Sequence, residues 1–186
     1  MSPQNAFILR KFLPEDLAAV IQINRLCLPE NYTSFFFLEV RQSFPEGFLV
    51  AEIDRRVVGY VMCRVEHGFS EVNYYRIIRK GHIVSVAVLP GYRRIGIGSA
   101  LVAEVAKAMI DQGVGECFLE VRVTNQEAIE LYTRLGFSVS RRAPHYYYDG
   151  EDAYVMWREL DMARVGPSGA TSAMDAVLSK SSHRDA

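Results

Sequence analysis

The sequence predicts a mixed α/β fold, in which helices flank a mostly antiparallel sheet of seven strands with one parallel pair at its centre. Two observations support this prediction. Residues 47–53 and 57–66 have the composition of strands and are joined by a short turn, which makes them an antiparallel hairpin. The strands at 82–88 and 116–123 are separated by one helical segment, so they should lie side by side and parallel, with a right-handed crossover.

The first half of the chain supplies three further elements. Residues 7–12 alternate apolar and polar side chains, as a half-buried strand does. Pro14 opens a helix that ends at the segment 28–32, and a second, aromatic helix is predicted at 35–44. The polar and aromatic stretch 67–80 shows neither period, so we expect a long loop there.

Turn and capping residues mark the ends of the two helices predicted in the second half of the chain. With the two helices of the first half, the predicted number of helices is about four. After Pro90 the apolar residues recur with helical period, and Gly113 stands where a C-terminal cap belongs. Thr124 and Glu127 have the spacing of a capping box, and Gly136 ends the helix that they begin. Two further strands close the fold, at 137–147 and 153–160.

The composition changes beyond residue 160. Residues 161–186 are rich in Pro, Gly, Ser and Ala and lose hydrophobic periodicity, which is typical of a flexible tail. We therefore expect one domain over residues 1–160, followed by this tail. Within the tail, the apolar stretch 173–178 is compatible with a short helix.

Charge and hydrophobicity argue against several classes of protein. A formal net charge of −1 disfavours a general nucleic-acid surface, which needs a basic excess. We expect no secretory signal at the N-terminus, and no apolar run approaches the roughly 20 residues that span a bilayer. The cysteines Cys27, Cys63 and Cys117 lie in apolar settings and are expected to be buried free thiols, which suits the cytoplasm.

The strongest local signal is the turn Arg93-Arg94-Ile95-Gly96-Ile97-Gly98, between the strand at 82–88 and the next helix. Backbone N–H groups at a helix start have no partner within the helix, and the helix dipole adds partial positive charge there. The two glycines let a ligand approach the backbone, and the two arginines add charge. These residues indicate a site for a pyrophosphate or similar polyanion, with an ordinary glycine-rich turn as the alternative.

Two blocks of the sequence resemble the GNAT acetyltransferase superfamily. Arg93-x-x-Gly96-x-Gly98 before an amphipathic helix is similar to its acyl-CoA motif, and Asn125-x-x-Ala128-x-x-x-Tyr132 with Leu135-Gly136-Phe137 is similar to its next block. More narrowly, the chain resembles the protein N-terminal acetyltransferases, in particular the archaeal stand-alone relatives of the NatA catalytic subunit (RimI-like). The segments that carry this likeness are 28–32, 80–85, 119–122 and 146–154.

The resemblance implies that acetyl-CoA donates an acetyl group, which the chain transfers to the α-amine of protein N-termini. It also implies that the end of the strand at 82–88 pairs with the pantetheine arm and that the turn holds the pyrophosphate. The cofactor-binding residues implied are Val86, Ala87, Val88, Arg93, Arg94, Ile95, Gly96, Ile97, Gly98, Ser99, Asn125 and Tyr132. Asn125 is alternatively an ordinary helix-start residue.

The reaction needs a base, because an α-amine with a pKa near 7.7–8.0 is mostly protonated at neutral pH. His82 and Glu120 lie on strands predicted to be adjacent, and they could share a water that accepts the proton. From the residues alone, His82 is more simply a structural histidine and Glu120 the partner of an arginine, whereas the resemblance implies a proton relay. Tyr132 is implied to lie near the CoA sulfur, as an acid or orienting group, or is a packed aromatic. No metal ion is expected beyond incidental binding by the His–Glu pair.

The peptide is implied to bind between two tyrosine-bearing walls. One wall is the segment with Glu30 and Tyr32, and the other contains Tyr146 and Tyr147. Tyrosines can donate hydrogen bonds to a peptide backbone while their rings pack on its first side chains. Glu30 is expected to face the charge of the incoming amine and to affect acceptance of the first residue.

Two other functions remain open at this point. One is acetylation of a lysine or a small-molecule amine on the same fold, and the other is a non-catalytic acyl-CoA-binding module. A tyrosine-walled cleft favours an extended peptide end, and the presence of His82, Glu120 and Tyr132 disfavours a non-catalytic module. Protein or peptide N-termini are therefore the expected partners, with the ribosome as a further candidate and no auxiliary subunit required.

Overall fold

A computed structural model describes residues 6–160 of the chain. The strands are β1 (Ile8–Lys11), β2 (Phe48–Ile53), β3 (Arg56–Phe69), β4 (Ile77–Val88), β5 (Glu116–Arg122), β6 (Ser138–Ala143) and β7 (Ala153–Glu159). The α-helices are α1 (Leu17–Cys27), α2 (Ser34–Ser43), α3 (Ile97–Asp111) and α4 (Gln126–Arg134). The tail predicted at 161–186, including the short helix considered at 173–178, lies outside the described residues.

The seven strands form one sheet in the order β1-β2-β3-β4-β5-β7-β6. Every neighbouring pair is antiparallel except β4 and β5, which are parallel. The predicted fold class is therefore confirmed, with its parallel pair at the centre of a mixed sheet. Gly113 and Gly136, with φ of 72° and 85°, follow α3 and α4 and confirm both predicted C-terminal caps.

The sheet is split along its parallel pair. The β4–β5 register ends where His82 pairs with Phe118. Two consecutive residues of β3 pair with Ile83 and Ser85, so Val84 is an extra residue on β4. Such a bulge bends the strand that carries it. Within residues 6–160, the two strands are not paired with each other beyond this point, and an opening lies between them.

Helices cover both faces of the sheet. On one face, α3 and α4 bury a cluster that includes Leu101, Val105 and Met109. On the other face, α1 and α2 bury a second cluster that includes Val20 and Phe37. The opening between β4 and β5 is consequently approached from two sides, each bordered by a different pair of helices.

The prediction of a long loop at 67–80 is wrong. β3 continues to Phe69 and β4 begins at Ile77, so most of this stretch is an extended hairpin. The buried carboxylate of Glu116 stabilises its turn, accepting hydrogen bonds from the Ser70 hydroxyl and a neighbouring backbone N–H. Because Glu116 lies far along the chain, local composition carries no sign of this support.

The strand predicted at 137–147 is too long, because β6 ends at Ala143. His145 has a φ of 50°, and its backbone N–H donates to the Asp152 carboxylate at 2.8 Å, which closes a turn. The run 146–148 of three tyrosines therefore lies in the β6–β7 turn rather than in a strand.

The prediction of a capping box at the start of α4 is also wrong. The N-cap is Asn125, whose side-chain oxygen accepts a hydrogen bond from the backbone N–H of Ala128 at 3.2 Å. Thr124 instead donates its hydroxyl to Glu151 at 2.7 Å. The helix-start interpretation of Asn125 is thus confirmed, and its place beside the opening keeps a cofactor role available.

The cysteines are free thiols, as expected. Cys63 and Cys117 are buried, and burial raises the pKa of Cys117 to about 12. Cys27 departs from the expectation because it is only half-buried. In the part of the chain that the structure describes, no helix combines the length and apolar character that a membrane span requires.

Candidate active site

Two cavities meet at the opening between β4 and β5. The first, of about 470 Å³, lies against the start of α3 and one face of α4, and we call it the turn cavity. The second, of about 480 Å³, lies between the α1–α2 connection and the β6–β7 turn, and we call it the tyrosine cleft. The residues that line both are Cys27, Leu28, Val86, Asn125, Ala128 and Tyr132. The two cavities therefore adjoin at this opening.

The turn cavity gathers the residues predicted to bind the cofactor, with one exception. Its lining includes Val86, Ala87, Val88, Arg93, Arg94, Gly96, Ile97, Gly98, Ser99, Asn125 and Tyr132. Ile95 is not part of the lining, and its side chain is half exposed. The side chain of Ile97 is buried in the core, so this residue can offer a ligand only its backbone.

The turn itself is shaped for an anion. Gly96 is the N-cap of α3 with a φ of 92°, and a Cβ placed there would meet no atom within 4 Å. Arg93 donates from Nε to the carbonyl oxygen of Val88 at 2.9 Å, which ties the turn to β4. Free helix-start N–H groups, open space above them and the guanidinium groups of Arg93 and Arg94 fit the pyrophosphate of acetyl-CoA.

Gly96→Val is expected to weaken CoA binding by an order of magnitude or more. A β-branched residue at this φ is strained by about 1–3 kcal/mol, and its side chain enters the space where the phosphates would lie. Titration calorimetry with CoA measures the change in affinity. Gly91→Val is the matched control, because Gly91 also has open space around its Cβ position but lies outside the cavity lining. Equal CoA affinity in the two variants would contradict this placement.

The tyrosine cleft brings His82 and Glu120 into direct contact. Nε2 of His82 lies 2.8 Å from Oε2 of Glu120, and the His82 ring stacks on Phe118 with centroids 4.5 Å apart. Side-chain exposure is only 10% for His82 and 14% for Glu120. Burial acts to raise the pKa of Glu120, but the hydrogen bond from His82 outweighs it, and a hydrogen bond from Tyr146 and the charge of Arg141 act in the same direction, so that pKa lies below its ordinary value. Glu120 is therefore an ionised carboxylate at neutral pH.

Tyr132 stands where the two cavities join. It is 9% exposed, packs edge-on against Phe137 with ring centroids 5.8 Å apart, and lines both cavities. Burial raises the pKa of Tyr132 to about 12, so the hydroxyl stays protonated at neutral pH. The packed-aromatic interpretation is confirmed, and it leaves the residue in reach of ligands on either side.

The four residues predicted to bind substrate all line the tyrosine cleft: Glu30, Tyr32, Tyr146 and Tyr147. Tyr32 stacks on Phe36 with centroids 4.9 Å apart, which fixes the wall formed by the α1–α2 connection. Burial raises the pKa of Tyr146 and of Tyr147, and the nearby carboxylates of Glu120 and Glu30 respectively add to this effect. Their hydroxyls thus remain neutral hydrogen-bond donors.

Arg122 was not singled out from the sequence, yet it connects the two walls of the cleft. Its guanidinium donates to Glu30 at 2.6 Å, to Asp149 at 2.8 Å and to Glu151 at 2.6 Å. The same group lies over the ring of Tyr147, 4.0 Å from its centroid. Glu30 is therefore paired with an arginine in addition to facing the cleft.

Arg64 is a second functional candidate that the sequence did not reveal. It lies on β3 directly opposite His82, and its Nε lies 3.2 Å from Nδ1 of that ring. The same nitrogen lies 3.1 Å from a carboxylate oxygen of Glu66. The His–Glu pair is thus the middle of a longer chain of polar contacts that begins on β3 and ends on β5.

A split mixed sheet with a glycine- and arginine-bearing turn at its opening is what the resemblance to the acetyltransferase superfamily predicts, and comparison with known proteins agrees. Residues 17–137 match the acetyltransferase (GNAT) family. The chain belongs to this family, and acetyl-CoA is its acetyl donor.

Comparison with individual proteins narrows the class. An N-alpha-acetyltransferase from Sulfurisphaera tokodaii is 50% identical over 143 residues, which cover 76% of this chain and 86% of that protein. Ard1 from Thermoplasma volcanium has a crystal structure similar to this one, with a TM-score of 0.73 at 33% identity, over 83% of this chain and 98% of that chain. The structure of Naa50 from Arabidopsis thaliana in complex with the bisubstrate analogue CoA-Ac-MVNAL is also similar, with a TM-score of 0.71 at 26% identity. The match covers 82% of this chain and 97% of that chain. The predicted likeness to N-terminal acetyltransferases is confirmed.

Proposed function

We propose that this chain transfers the acetyl group of acetyl-CoA directly to the α-amino group of protein N-termini, within a ternary complex. The observation that supports this most strongly is the position of the His82–Glu120 pair in the tyrosine cleft, which shares six lining residues with the turn cavity. The turn cavity offers backbone donors and arginines, whereas the tyrosine cleft offers aromatic walls and hydroxyl groups. Donor and acceptor can therefore occupy the site together, and no covalent enzyme intermediate is needed.

Acetyl-CoA supplies the acetyl group as a thioester, and residues of the turn cavity would hold it. The N–H groups at the start of α3, with Arg93 and Arg94, suit the pyrophosphate. The edge of β4 at 86–88 faces the opening and can pair with the pantetheine arm as an added strand. One N–H of this edge would then donate to the carbonyl oxygen as negative charge develops on it.

Glu120 is the proton acceptor in this proposal. Oε2 of Glu120 accepts the hydrogen bond from His82, and Tyr146 also donates to this carboxylate. A remaining lone pair of the carboxylate takes a proton from the ammonium group, directly or through one water. Because the pKa of Glu120 is lowered, the carboxylate is already ionised well below neutral pH. Protonation of the α-amine then determines the acid side of the pH profile of kcat/KM. We expect kcat/KM to rise with pH through about 8.

Tyr132 serves the departing thiolate. Its hydroxyl remains protonated because the pKa is raised to about 12, so it can donate a hydrogen bond to sulfur as negative charge appears there. Its packing against Phe137 holds the ring in one orientation. Both properties suit an orienting donor better than a mobile acid.

The shape of the tyrosine cleft favours a chain end over an internal lysine. Arg122 links the α1–α2 connection to the β6–β7 turn through Glu30, Asp149 and Glu151, so the two walls are joined. A lysine in the middle of a chain brings polypeptide on both sides of itself, and the joined walls obstruct one of those directions. A terminal amine brings polypeptide on one side only.

A peptide panel tests the function. We expect acetyl transfer from acetyl-CoA to peptides that begin with Ser, Ala, Met-Leu or Met-Glu, and none to an N-blocked peptide that carries a lysine. Mass spectrometry locates the added acetyl group. Modification of the blocked peptide alone would favour the lysine acetyltransferase alternative. CoA binding without turnover of any amine would favour a non-catalytic binding module.

We further propose that the chain acts without an auxiliary subunit and in the cytoplasm. Both walls of the cleft are supported by residues of this chain, through Arg122, so no partner is needed to position them. Three free thiols suit a reducing compartment. The ribosome is a candidate partner because its products are new chain ends. Turnover by the purified chain, measured alongside its mass in solution, tests independence from a partner.

A further inference from the structure

We propose that Arg64 is a positioning residue that fixes the tautomer of His82 and thereby makes Glu120 the proton acceptor of the pair. Only the direction of proton transfer depends on the proposed function. The tautomer is a property of the chain without substrates, so it can be tested separately.

The tautomer follows from the donor and acceptor capacity of the two side chains. A guanidinium has N–H donors and no acceptor, and it stays protonated at any pH where the protein is folded. The contact of 3.2 Å between Nε of Arg64 and Nδ1 of His82 is therefore a hydrogen bond donated by Arg64. Nδ1 must be the unprotonated nitrogen of a neutral imidazole. The ring proton is then on Nε2, which donates to Oε2 of Glu120 at 2.8 Å.

The surroundings hold this arrangement in place. Arg64 pairs with His82 across the β3–β4 ladder, and Glu66 lies 3.1 Å from the Arg64 guanidinium. The His82 ring is stacked on Phe118 with an interplanar angle of 7°, which opposes rotation of the imidazole. Exchange of the two ring nitrogens would require the stack and both hydrogen bonds to break.

The other ionisable groups around the pair do not supply a competing acceptor for the ring. Lys80 of β4 lies over the Phe118 ring, 5.1 Å from its centroid, and Arg141 of β6 exerts its charge on Glu120. Tyr32 of the α1–α2 connection and Tyr146 of the β6–β7 turn have raised pKa values, chiefly because of burial, and stay neutral.

The consequence for catalysis is a division of roles. Both ring nitrogens of His82 are occupied, one as acceptor and one as donor, so the ring has no free lone pair for the proton of the amine. The ammonium N–H bond breaks as an O–H bond forms at the carboxylate of Glu120. Once Glu120 has passed this proton to solvent, the free amine attacks the thioester carbonyl and the C–S bond breaks with its electron pair on sulfur. The attacking nitrogen loses its second proton as the amide forms, and that proton neutralises the thiolate.

Arg64→Met tests the tautomer by nitrogen-15 NMR of the histidine-labelled chain, with His82→Ala identifying the His82 signals among the 4 histidines. In the unaltered protein we expect Nδ1 to be unprotonated and Nε2 protonated. In Arg64→Met the Nδ1 signal should change, because Nδ1 has lost the donor that excludes a proton from it, while Nε2 still donates to Glu120. Glu66→Gln is the matched control, because it removes the partner of Arg64 and leaves the hydrogen bond to His82. A protonated Nδ1 in the unaltered protein, or an unchanged spectrum in Arg64→Met, would refute the proposal.

The pH profile gives a second readout that a merely structural role would not change. The unaltered enzyme should lose kcat/KM about tenfold per pH unit below the pKa of the amine. In Arg64→Met the freed Nδ1 is an additional proton acceptor beside Glu120, and the profile should change its shape. The control Glu66→Gln should keep the original slope. A loss of activity in Arg64→Met by one constant factor at every pH would count against a tautomer role.

Failure of all variants to acetylate any peptide end would instead contradict the proposed function. The NMR result on the tautomer would remain valid in that case.

Discussion

Replacing Glu120 by Gln should lower kcat for acetylation of a peptide N-terminus by a factor of about 10²–10⁴, the usual contribution of a positioned general base. The amide keeps the size of the side chain and can still accept the hydrogen bond from His82, but it cannot take up the proton. Affinity for CoA should stay unchanged, because Glu120 lines the tyrosine cleft and not the turn cavity. Steady-state kinetics with saturating acetyl-CoA, together with calorimetry of CoA binding, separates these effects.

His82→Ala and the double replacement of His82 and Glu120 refine this result. If His82 acts through Glu120, its removal should cost less than Glu120→Gln, and the double variant should be no worse than Glu120→Gln alone. Glu104→Gln on the exposed surface of α3 is a control for loss of a carboxylate. Should His82→Ala prove the more damaging change, the base would have to be reassigned to the histidine. Full activity of the double variant would remove both residues from the mechanism.

Arg122→Met is expected to reduce kcat/KM for peptides by about 10- to 100-fold, since a misplacement of about 1 Å in a binding wall has effects of this size. Three carboxylates lose their common partner, and the α1–α2 connection is no longer held to the β6–β7 turn. The half-buried cluster should also lose about 1–3 kcal/mol of unfolding free energy, which lowers Tm by several degrees. Peptide kinetics and thermal denaturation measure the two effects.

Arg142→Met is the matched control for this prediction. Arg142 also forms a short ion pair, with Asp152 at 2.6 Å, but it is 60% exposed and bridges no walls. Exposed pairs contribute little, so both activity and Tm should stay close to those of the unaltered protein. If Arg122→Met behaves like Arg142→Met, the two walls are held together by something other than this arginine.

The parts of the fold that the sequence predicts well are those decided by neighbouring residues. Gly113 and Gly136 mark helix ends because each adopts a left-handed conformation that disfavours other residues. The turn at 93–98 is recognisable for the same reason, since glycine, charge and the start of a helix coincide within six positions. The parallel pair follows from one intervening helix, which leaves little choice of topology.

The features that escaped prediction depend on residues far apart in the chain. The bond from Arg122 to Glu30 spans 92 positions, and the bond from Glu116 to Ser70 spans 46. Composition near either end contains no trace of the other, so local composition predicts a loop where the extended hairpin lies. Arg64 illustrates the same limit, because an arginine at a half-exposed strand position is unremarkable until the facing strand is known.

The single extra residue on β4 has a consequence for how the two substrates can meet. Val84 interrupts the β3–β4 register, and beside it the unpaired edge of β4 borders two cavities that share part of their lining. Donor and acceptor can therefore approach the same strand edge from different cavities, without competing for one space.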